Sequence, residues 1–452
     1  MKLQFLGATD TVTGSKYLLH SGEHHVLVDC GLFQGYKALR LRNWDALPEP
    51  PRAIDAVVLT HAHLDHSGYL PLLVRQGFRG PIWCTAETRE LCEILLLDSA
   101  HLLEEEAEWL GRKQLSKHHP PLPLYTVEDA QACLKQFRAV AYGDDFSPVA
   151  GLRGTMHPSG HMPGSAFVRL ADGERSILFS GDIGRPNDLV LKPPVTLPGA
   201  DYLVVESTYG DRTHPTTDAL ADLAAIIERT AARRGVLVIP AFAVGRAQTL
   251  LFALSQLKRR RAIPDIPIYL NSPMASSACA VYGRHPKSLR LDAEQRQAMA
   301  HVAHIVHTPD ESRALNARKG PMIIIAGSGM ATGGRVVHHL KAFAPDPRNT
   351  ILFAGYQSGG TRGAAMLGGA ATIRIHGEDI PVRAEVAALG ALSAHADATE
   401  ILAWLSHFKQ PPRRTFITHG EPPAADAMRV RIERGLHWPC HMPYYLETVE
   451  LS

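Results

Sequence analysis

The run His61-Ala62-His63-Leu64-Asp65-His66 places three imidazoles and one carboxylate within six positions. Imidazole and carboxylate are the ligand types that zinc uses when one coordination position must stay open for chemistry. The run follows the apolar stretch 57–60, which predicts a buried strand. Since ligands at this spacing cannot all lie on one face of a regular helix, we expect a tight loop at the strand end. A histidine-rich surface loop is the alternative interpretation.

Three more residues of ligand type stand where later apolar runs end, each beside a glycine. They are His161 in Ser159–Ser165, Asp182 in Phe179–Asp182 and His419 in Ile417–Gly420. Glycine lets the backbone approach an ion closely. Taken singly, each residue could be a hydrogen-bonded core histidine or a turn aspartate. Together with the first run they supply seven candidate ligands, enough for two ions that share one bridging carboxylate.

Composition indicates an ordinary globular protein. The chain has 452 residues, a hydrophobic fraction of 45%, a charged fraction of 20% and a net charge of +2, so any anion site must be local. Its six cysteines form no CxxC pair, which argues against a thiolate zinc site and favours reduced thiols in the cytoplasm. We find neither a signal-peptide pattern nor a run of 18 apolar residues, and therefore expect no membrane association.

The chain shows two patterns of predicted secondary structure around these residues. Up to about residue 206 short strand-like runs dominate, with predicted helices at Glu87–Arg112 and Val127–Phe137 and a predicted surface loop at Lys113–Pro123. From about residue 210 strands and helices alternate, which predicts a parallel sheet between helical layers. Asp397–Glu400 resembles a capping box, and a strand then leads to His419.

The ligand set resembles that of the metallo-β-lactamase superfamily. The resemblance implies that His61, His63 and His161 bind one zinc ion and that Asp182 bridges to a second. It implies that Asp65, His66 and His419 complete the second zinc site. Asp29 matches the strand-end aspartate of the family's first motif and is expected to orient a ligand from behind.

A second set of motifs resembles the β-CASP group of nucleic-acid-processing nucleases within that superfamily. Glu206-Ser207-Thr208-Tyr209-Gly210 and Ser393-Ala394-His395-Ala396-Asp397 flank a long α/β segment. Glu206, His395 and His419 then match the group's motifs A, B and C, and histidine at motif B is typical of its RNA branch. The segments Pro240–Gln248, Ser272–Ala275 and Ser328–Met330 match as well, so the resemblance covers nearly the whole chain. The chain is similar to bacterial and archaeal relatives of the eukaryotic pre-mRNA 3′-end endonuclease subunit.

The resemblance implies an α/β fold: an αββα metallo-β-lactamase sandwich with an inserted β-CASP domain, whose parallel sheet is flanked by helices. We expect the sandwich to comprise residues 1–206 and 381–452, and the β-CASP domain residues 207–380.

The implied function is zinc-dependent hydrolysis of phosphodiester bonds in single-stranded RNA, for RNA processing or decay. Attack by a zinc-bridging hydroxide would leave a 5′-phosphate and a 3′-hydroxyl. Asp65 and Asp182 belong to the expected catalytic centre. His395, oriented by Glu206, is the candidate acid for the leaving oxygen. A structural histidine before a helix and a carboxylate that holds a loop are the respective alternatives.

We expect Ser272, Ser328, Gly329 and Arg246 to contact the RNA backbone. The glycine-rich segment 326–334 follows a predicted strand and precedes a predicted helix, where backbone amides can hold phosphate. A plain tight turn is an equal alternative. The segment lacks the GK[ST] of a P-loop and the spacing of GxGxxG, which excludes nucleotide hydrolysis and dinucleotide chemistry.

Other functions stay open at this point. They are a zinc-dependent hydrolase of a small ester, thioester or lactone, a DNA nuclease, and a non-catalytic RNA-binding scaffold. Endonuclease and 5′-exonuclease modes are both compatible with the motifs, as is a homodimer, and manganese could replace zinc.

Overall fold

The computed structural model describes residues 1–114 and 121–452, so the predicted loop Lys113–Pro123 lies largely outside the described residues. The chain forms two compact units. Unit 1 comprises Met1–Pro186, Pro193–Thr213 and His395–Ser452, and unit 2 comprises Asn187–Lys192 and His214–Ala394. The predicted domain boundaries after residues 206 and 380 stay predictions.

Unit 1 contains two seven-stranded sheets. Elements are numbered in chain order. The first sheet has the order β22-β1-β2-β3-β4-β5-β6. Its strands are β1 (Lys2–Phe5), β2 (Tyr17–Ser21), β3 (His24–Val28), β4 (Ala56–Val58), β5 (Ile82–Cys84), β6 (Phe137–Ala139) and β22 (Thr448–Glu450). From β3 to β6 neighbouring strands are parallel, so their carboxyl ends share one edge.

The second sheet of unit 1 has the order β21-β20-β11-β10-β9-β8-β7. Its strands are β7 (Asp145–Val149), β8 (Leu152–Pro158), β9 (Ala166–Ala171), β10 (Ser176–Phe179), β11 (Tyr202–Glu206), β20 (Arg414–Thr418) and β21 (Cys440–His441). The strands β10, β11, β20 and β21 are parallel, whereas β7, β8, β9 and β10 form an antiparallel meander.

The core of unit 1 lies between the two sheets. Phe5, Val28 and Val58 from the first sheet pack in one cluster with Val168 and Phe179 from the second. The outer face of the second sheet is also buried, because the last two helices of the chain pack against it. Thus Val204 of β11 faces the inter-sheet core, and its neighbours Leu203 and Val205 pack with the last two helices. The helices of unit 1 are α1 (Lys37–Leu41), α2 (Leu64–Ser67), α3 (Leu70–Arg75), α4 (Ala86–Arg112), α5 (Val127–Leu134), α13 (Ala398–Leu405) and α14 (Pro422–Gly435).

Unit 2 is built on a six-stranded parallel sheet of order β14-β13-β15-β12-β16-β19. Its strands are β12 (Val236–Pro240), β13 (Ile268–Asn271), β14 (His304–Ile305), β15 (Met322–Ala326), β16 (Thr350–Phe353) and β19 (Glu385–Ala388), and a separate hairpin comprises β17 (Thr372–Ile375) and β18 (Glu378–Pro381). The helices are α6 (Ala219–Ala232), α7 (Arg246–Arg259), α8 (Pro273–Arg284), α9 (Ala293–His301), α10 (Pro309–Ala317), α11 (Arg335–Phe343) and α12 (Arg362–Leu367). The central strands β12 and β15 are buried at every position, as expected for a parallel sheet between helices.

Two local predictions differ from the structure. The helix predicted over Val127–Phe137 ends at Leu134. Phe137 is instead the first residue of β6, because its side chain is buried there, where it pairs with Ile82 of β5. The loop predicted for the histidine run contains one short helical turn, α2, which begins after His63. No helix within the described ranges is long and apolar enough to cross a membrane.

Candidate metal centre

The predicted ligands all lie in unit 1, at the carboxyl ends of strands or just beyond them. Parallel strands that end at one edge bring such residues together, which is why open α/β sheets bind ligands there. Five of these residues follow a strand, and Glu206 is the last residue of β11. The five are Asp29 after β3, His61 after β4, His161 after β8, Asp182 after β10 and His419 after β20.

Backbone geometry at this edge is unusual. Asp29 and His419 have φ values of 57° and 49°, in the left-handed region that residues other than glycine rarely adopt. Hydrogen bonds hold both: the Asp29 amide donates to the Val58 carbonyl at 2.9 Å, and the His419 amide donates to the Ala8 carbonyl at 2.7 Å. Backbone strain of this kind is typical of functional sites, where the surrounding structure fixes it.

The first group of ligand atoms comprises His61, His63, His161 and Asp182, whose ligand atoms lie within 4.8 Å of one another. Asp182 Oδ2 is 3.3 Å from His61 Nε2 and 3.4 Å from His161 Nε2. Burial lowers the pKa of His61 and His161, and it lowers the pKa of His63 to about 3. These imidazoles are therefore neutral, the form that binds a metal ion.

The second group comprises Asp65, His66 and His419. His66 Nε2 lies 3.1 Å from His419 Nε2, and His419 Nε2 lies 3.5 Å from Asp65 Oδ2. Asp182 Oδ1 is 3.2 Å from His66 Nε2. The two oxygens of Asp182 therefore face different groups, which is the position of a bridging carboxylate.

The donor set fits a divalent cation. Several imidazole nitrogens and carboxylate oxygens converge in a site where His61, His66, His161 and Asp182 are at most 2% exposed. Asp182 oxygens lie within 3.3 Å of His61 Nε2 and His66 Nε2, but within the described part of the chain neither His61 Nε2 nor Asp182 Oδ1 makes a well-oriented hydrogen bond. Leaving such atoms without hydrogen bonds is costly, and a bound cation removes that cost.

Asp29 lies behind the second group. Asp29 Oδ2 is 2.8 Å from His66 Nδ1 and accepts a hydrogen bond of 2.8 Å from the Thr60 hydroxyl, and Asp29 Oδ1 accepts one of 2.7 Å from the Thr60 amide. A histidine that donates from Nδ1 to a carboxylate keeps the lone pair of Nε2 for a ligand. Thr60, which was not predicted as a site residue, also lies 3.0 Å from His61 Nδ1, so it contacts the first group directly and the second group only through Asp29.

Glu206 and His395 form a pair beside Asp182. Both oxygens of Glu206 are 3.2 to 3.3 Å from His395 Nδ1, and Glu206 Oε1 accepts a hydrogen bond of 2.6 Å from the Ile183 amide. His395 Nε2 is 3.9 Å from Asp182 Oδ2. Burial opposes protonation of His395, but the carboxylates of Glu206 and Asp182 outweigh it and raise the pKa to about 9.

The residues predicted to contact RNA lie in unit 2, at the carboxyl edge of its sheet. Ser272 caps α8, accepting a hydrogen bond from the Ala275 amide at 3.2 Å, and it faces the glycine-rich loop that follows β15. In that loop Ser328 Oγ is 2.9 Å from Thr332 Oγ1. Gly329 lies so close to the Phe242 ring that a Cβ would be 2.6 Å from it. Arg246 is the first residue of α7 and is buried.

Three family models match the chain. They describe the metallo-β-lactamase superfamily over residues 10–234, the Beta-Casp domain over 247–366, and a Zn-dependent metallo-hydrolase RNA specificity domain over 379–443. Two facing sheets with this ligand set thus define a metallo-β-lactamase-type hydrolase fold, as predicted. A solved protein of unknown function from Enterococcus faecalis shares the fold over 99% of both chains, with a TM-score of 0.51 and 11% identity.

Relatives with higher sequence identity show which group of the superfamily the chain belongs to. The chain is 40% identical to Ribonuclease TTHA0252 of Thermus thermophilus, over 93% of both chains. It is 34% identical to the transcription termination factor FttA of Pyrococcus abyssi and 31% identical to that of Methanosarcina mazei. All of this chain is covered in both cases, with 71% and 72% of the respective relatives. The chain therefore belongs to the β-CASP group of the metallo-β-lactamase superfamily, which is a metal-dependent family.

Proposed function

We propose that this protein is a metal-dependent ribonuclease that hydrolyses phosphodiester bonds in single-stranded RNA during RNA processing or decay. One observation carries the proposal: Asp182 lies between two histidine groups, and the Glu206–His395 pair adjoins the same carboxylate. The family membership and a relative named as a ribonuclease support RNA as the substrate.

The proposed cofactor is a pair of zinc ions. His61, His63 and His161 would hold one, Asp65, His66 and His419 the other, and Asp182 both. Bound zinc supplies Lewis acidity, which lowers the pKa of a coordinated water and neutralises charge on phosphoryl oxygens.

The chain's own residues complete the proposed reaction. Water adds to phosphorus and loses a proton to solvent while the bond to the 3′-oxygen breaks, and the leaving oxygen takes up a proton. His395 donates that proton from Nε2, because Glu206 accepts the hydrogen bond of Nδ1 and keeps the ring oriented. The products are a 5′-phosphate and a 3′-hydroxyl.

Ser272, Ser328, Gly329 and Arg246 are the proposed backbone contacts in unit 2. Support comes from their position at the carboxyl edge of a parallel sheet, where ligands of α/β proteins commonly bind. Phosphate oxygens accept hydrogen bonds from hydroxyl, amide and guanidinium groups, which are the groups these residues present. Endonuclease activity, a 5′-exonuclease activity, a homodimer and a cytoplasmic location are further predictions of the sequence.

The test uses single-stranded RNA and DNA of the same sequence, labelled at either end, incubated with zinc-loaded protein with and without a chelator. We expect chelator-sensitive cleavage of the RNA, and the labelled ends separate internal cuts from stepwise 5′ removal. Equal or faster cleavage of DNA would replace the ribonuclease by a DNA nuclease. Zinc-loaded protein that cleaves neither strand but hydrolyses a thioester or lactone would point to a small-molecule hydrolase.

A further inference from the structure

Thr208 contacts both Glu206, the partner of His395, and the candidate metal ligand His419. Its hydroxyl donates to Glu206 Oε2 at 2.5 Å and lies 3.1 Å from His419 Nδ1. Thr208, Glu206 and His419 are each at most 3% exposed, so water does not substitute for these contacts. Thr208 follows β11 by two residues and lies in unit 1 with both partners.

The hydrogen-bond direction follows from the chemistry of the three groups. A threonine hydroxyl has one proton, and the carboxylate at 2.5 Å is a stronger and nearer acceptor than the His419 carbonyl at 3.3 Å. The hydroxyl oxygen then presents only lone pairs to His419 Nδ1. That nitrogen must therefore carry the ring proton and donate it to Thr208.

This arrangement fixes which nitrogen of His419 can bind a cation. With the proton on Nδ1, the lone pair is on Nε2, the atom that lies 3.1 Å from His66 Nε2 and 3.5 Å from Asp65 Oδ2. On the other side, the same hydroxyl holds one oxygen of Glu206, and the Ile183 amide holds the other at 2.6 Å. Both oxygens of Glu206 are thus fixed for His395 Nδ1.

We infer that Thr208 is a positioning residue whose one hydroxyl sets the tautomer of His419 and the orientation of the Glu206–His395 pair. This inference rests on the proposed function for its effect on cleavage, but its effect on metal binding is independent of the substrate. Residues that orient metal ligands in this way typically affect metal affinity or activity by roughly 10- to 100-fold.

The test compares Thr208→Val, which keeps the shape but removes the hydroxyl, with Thr208→Ser, which keeps the hydroxyl. Thr415→Val is the matched control. Thr415 is a fully buried threonine of β20, and among the described residues its hydroxyl makes no hydrogen bond. Zinc affinity is measured by competition with a chromogenic chelator, and kcat and KM are measured on RNA. Circular dichroism establishes that each variant is folded.

We expect Thr208→Val to weaken zinc binding and to lower kcat by about 10-fold or more, with KM within about twofold of the parent. Thr208→Ser should restore both quantities, and Thr415→Val should change neither. Equal zinc affinity and kcat in Thr208→Val and the parent would overturn the inference. So would equal losses in the valine and serine variants, because packing rather than the hydroxyl would then be responsible.

A measurement on the parent protein needs no folded variant at position 208. In zinc-loaded protein labelled with ¹⁵N-histidine, the His419 signals should show a proton on Nδ1, with the assignment made by their loss in His419→Ala. A proton on Nε2 overturns the inference. If the parent cleaves no RNA, the proposed function fails, whereas the zinc affinities and the tautomer still decide the role of Thr208.

Discussion

In this site the pKa of each histidine depends on its burial and on the charged groups around it. His63 and His66 are both buried and both belong to the same motif. Burial lowers the pKa of His63 to about 3, because carboxylates compensate too little. Burial also disfavours the charged form of His66, but Asp182 and Asp29 outweigh it and, without a cation, raise its pKa well above the ordinary value; a cation that binds Nε2 takes the place of that proton. The candidate ligands could be named from the sequence, whereas these differences in pKa depend on distances that only the fold sets.

Lys16, which lies outside the candidate metal site, is expected to make the stability of the protein depend on pH. Its side chain is 2% exposed, with Nζ 4.5 Å from the centre of the Phe33 ring and 4.9 Å from that of Tyr69. Burial lowers the pKa of Lys16 to about 8, against an ordinary value of 10.5. Between these two values the folded chain has released a proton that the unfolded chain still binds, so this residue makes stability rise with pH.

The Lys16→Met variant lacks that proton and therefore lacks this pH dependence. Relative to Lys16→Met, the parent should gain stability from pH 8 to pH 9.5, by up to about 1.4 kcal/mol per pH unit. Urea unfolding of both proteins at pH 7, 8 and 9.5, followed by tryptophan fluorescence, measures the difference. A difference that stays constant over this range would show that Lys16 keeps its ordinary pKa in the folded protein.

The strand ends position the candidate site, because every candidate ligand lies at the carboxyl end of a strand or just beyond it. The loop with the histidine run packs against Gly31, where a Cβ would be 1.6 Å from the Asp65 carbonyl oxygen. The Cys30 amide also donates to the His66 carbonyl at 2.6 Å. The turn after β3 is therefore the surface against which the ligand loop is placed.

Gly31→Ala should displace that loop, because backbone atoms cannot yield as a flexible side chain does. We expect weaker zinc binding and a lower thermal midpoint. Gly283→Ala is the control: it lies within α8, a Cβ there would meet no other atom within 4 Å, and alanine stabilises a helix by up to about 1 kcal/mol relative to glycine. Chelator competition and thermal melts of both variants check this. Parent-like zinc binding in Gly31→Ala would show that the loop position is not set by this contact.

Strong periodicity and apolar runs predicted many elements well. The predicted helix Glu87–Arg112 begins only one residue earlier in the structure, as α4, and the parallel sheet predicted beyond residue 210 is present in unit 2. Helices α9 and α10 were not predicted, because they are short and have few buried residues. Their capping boxes at Asp292 and Thr308 were the available signal. Thr208 was missed as a contact because its two partners, although one is close in sequence, meet only after β11 and β20 pair.

At the scale of the whole molecule, the two units have separate cores, and all seven candidate ligands belong to unit 1. Unit 2 has its own parallel sheet with fully buried central strands. Metal binding is therefore expected to stabilise unit 1 locally rather than the chain as a whole.

Removing the metal with a chelator should raise amide hydrogen exchange at the strand ends of unit 1. The Cys30 amide, which donates to the His66 carbonyl, and the Gly184 amide, which donates to the Ser159 carbonyl, are specific reporters. Strands β12 and β15 of unit 2 should keep their protection. Hydrogen exchange followed by mass spectrometry measures both regions in one sample. Loss of protection throughout unit 2, or none at the strand ends of unit 1, would contradict this assignment.

We propose that the candidate metal ligands and the Glu206–His395 pair act together to cleave RNA. The most direct measurement is the single-turnover cleavage rate of end-labelled RNA by zinc-loaded parent and His395→Ala protein, each with its zinc content determined. We predict that His395→Ala keeps its zinc but cleaves about 10²- to 10⁴-fold more slowly, as expected for loss of a general acid. Cleavage by His395→Ala at the parent's rate with full zinc content would show that His395 is not the general acid.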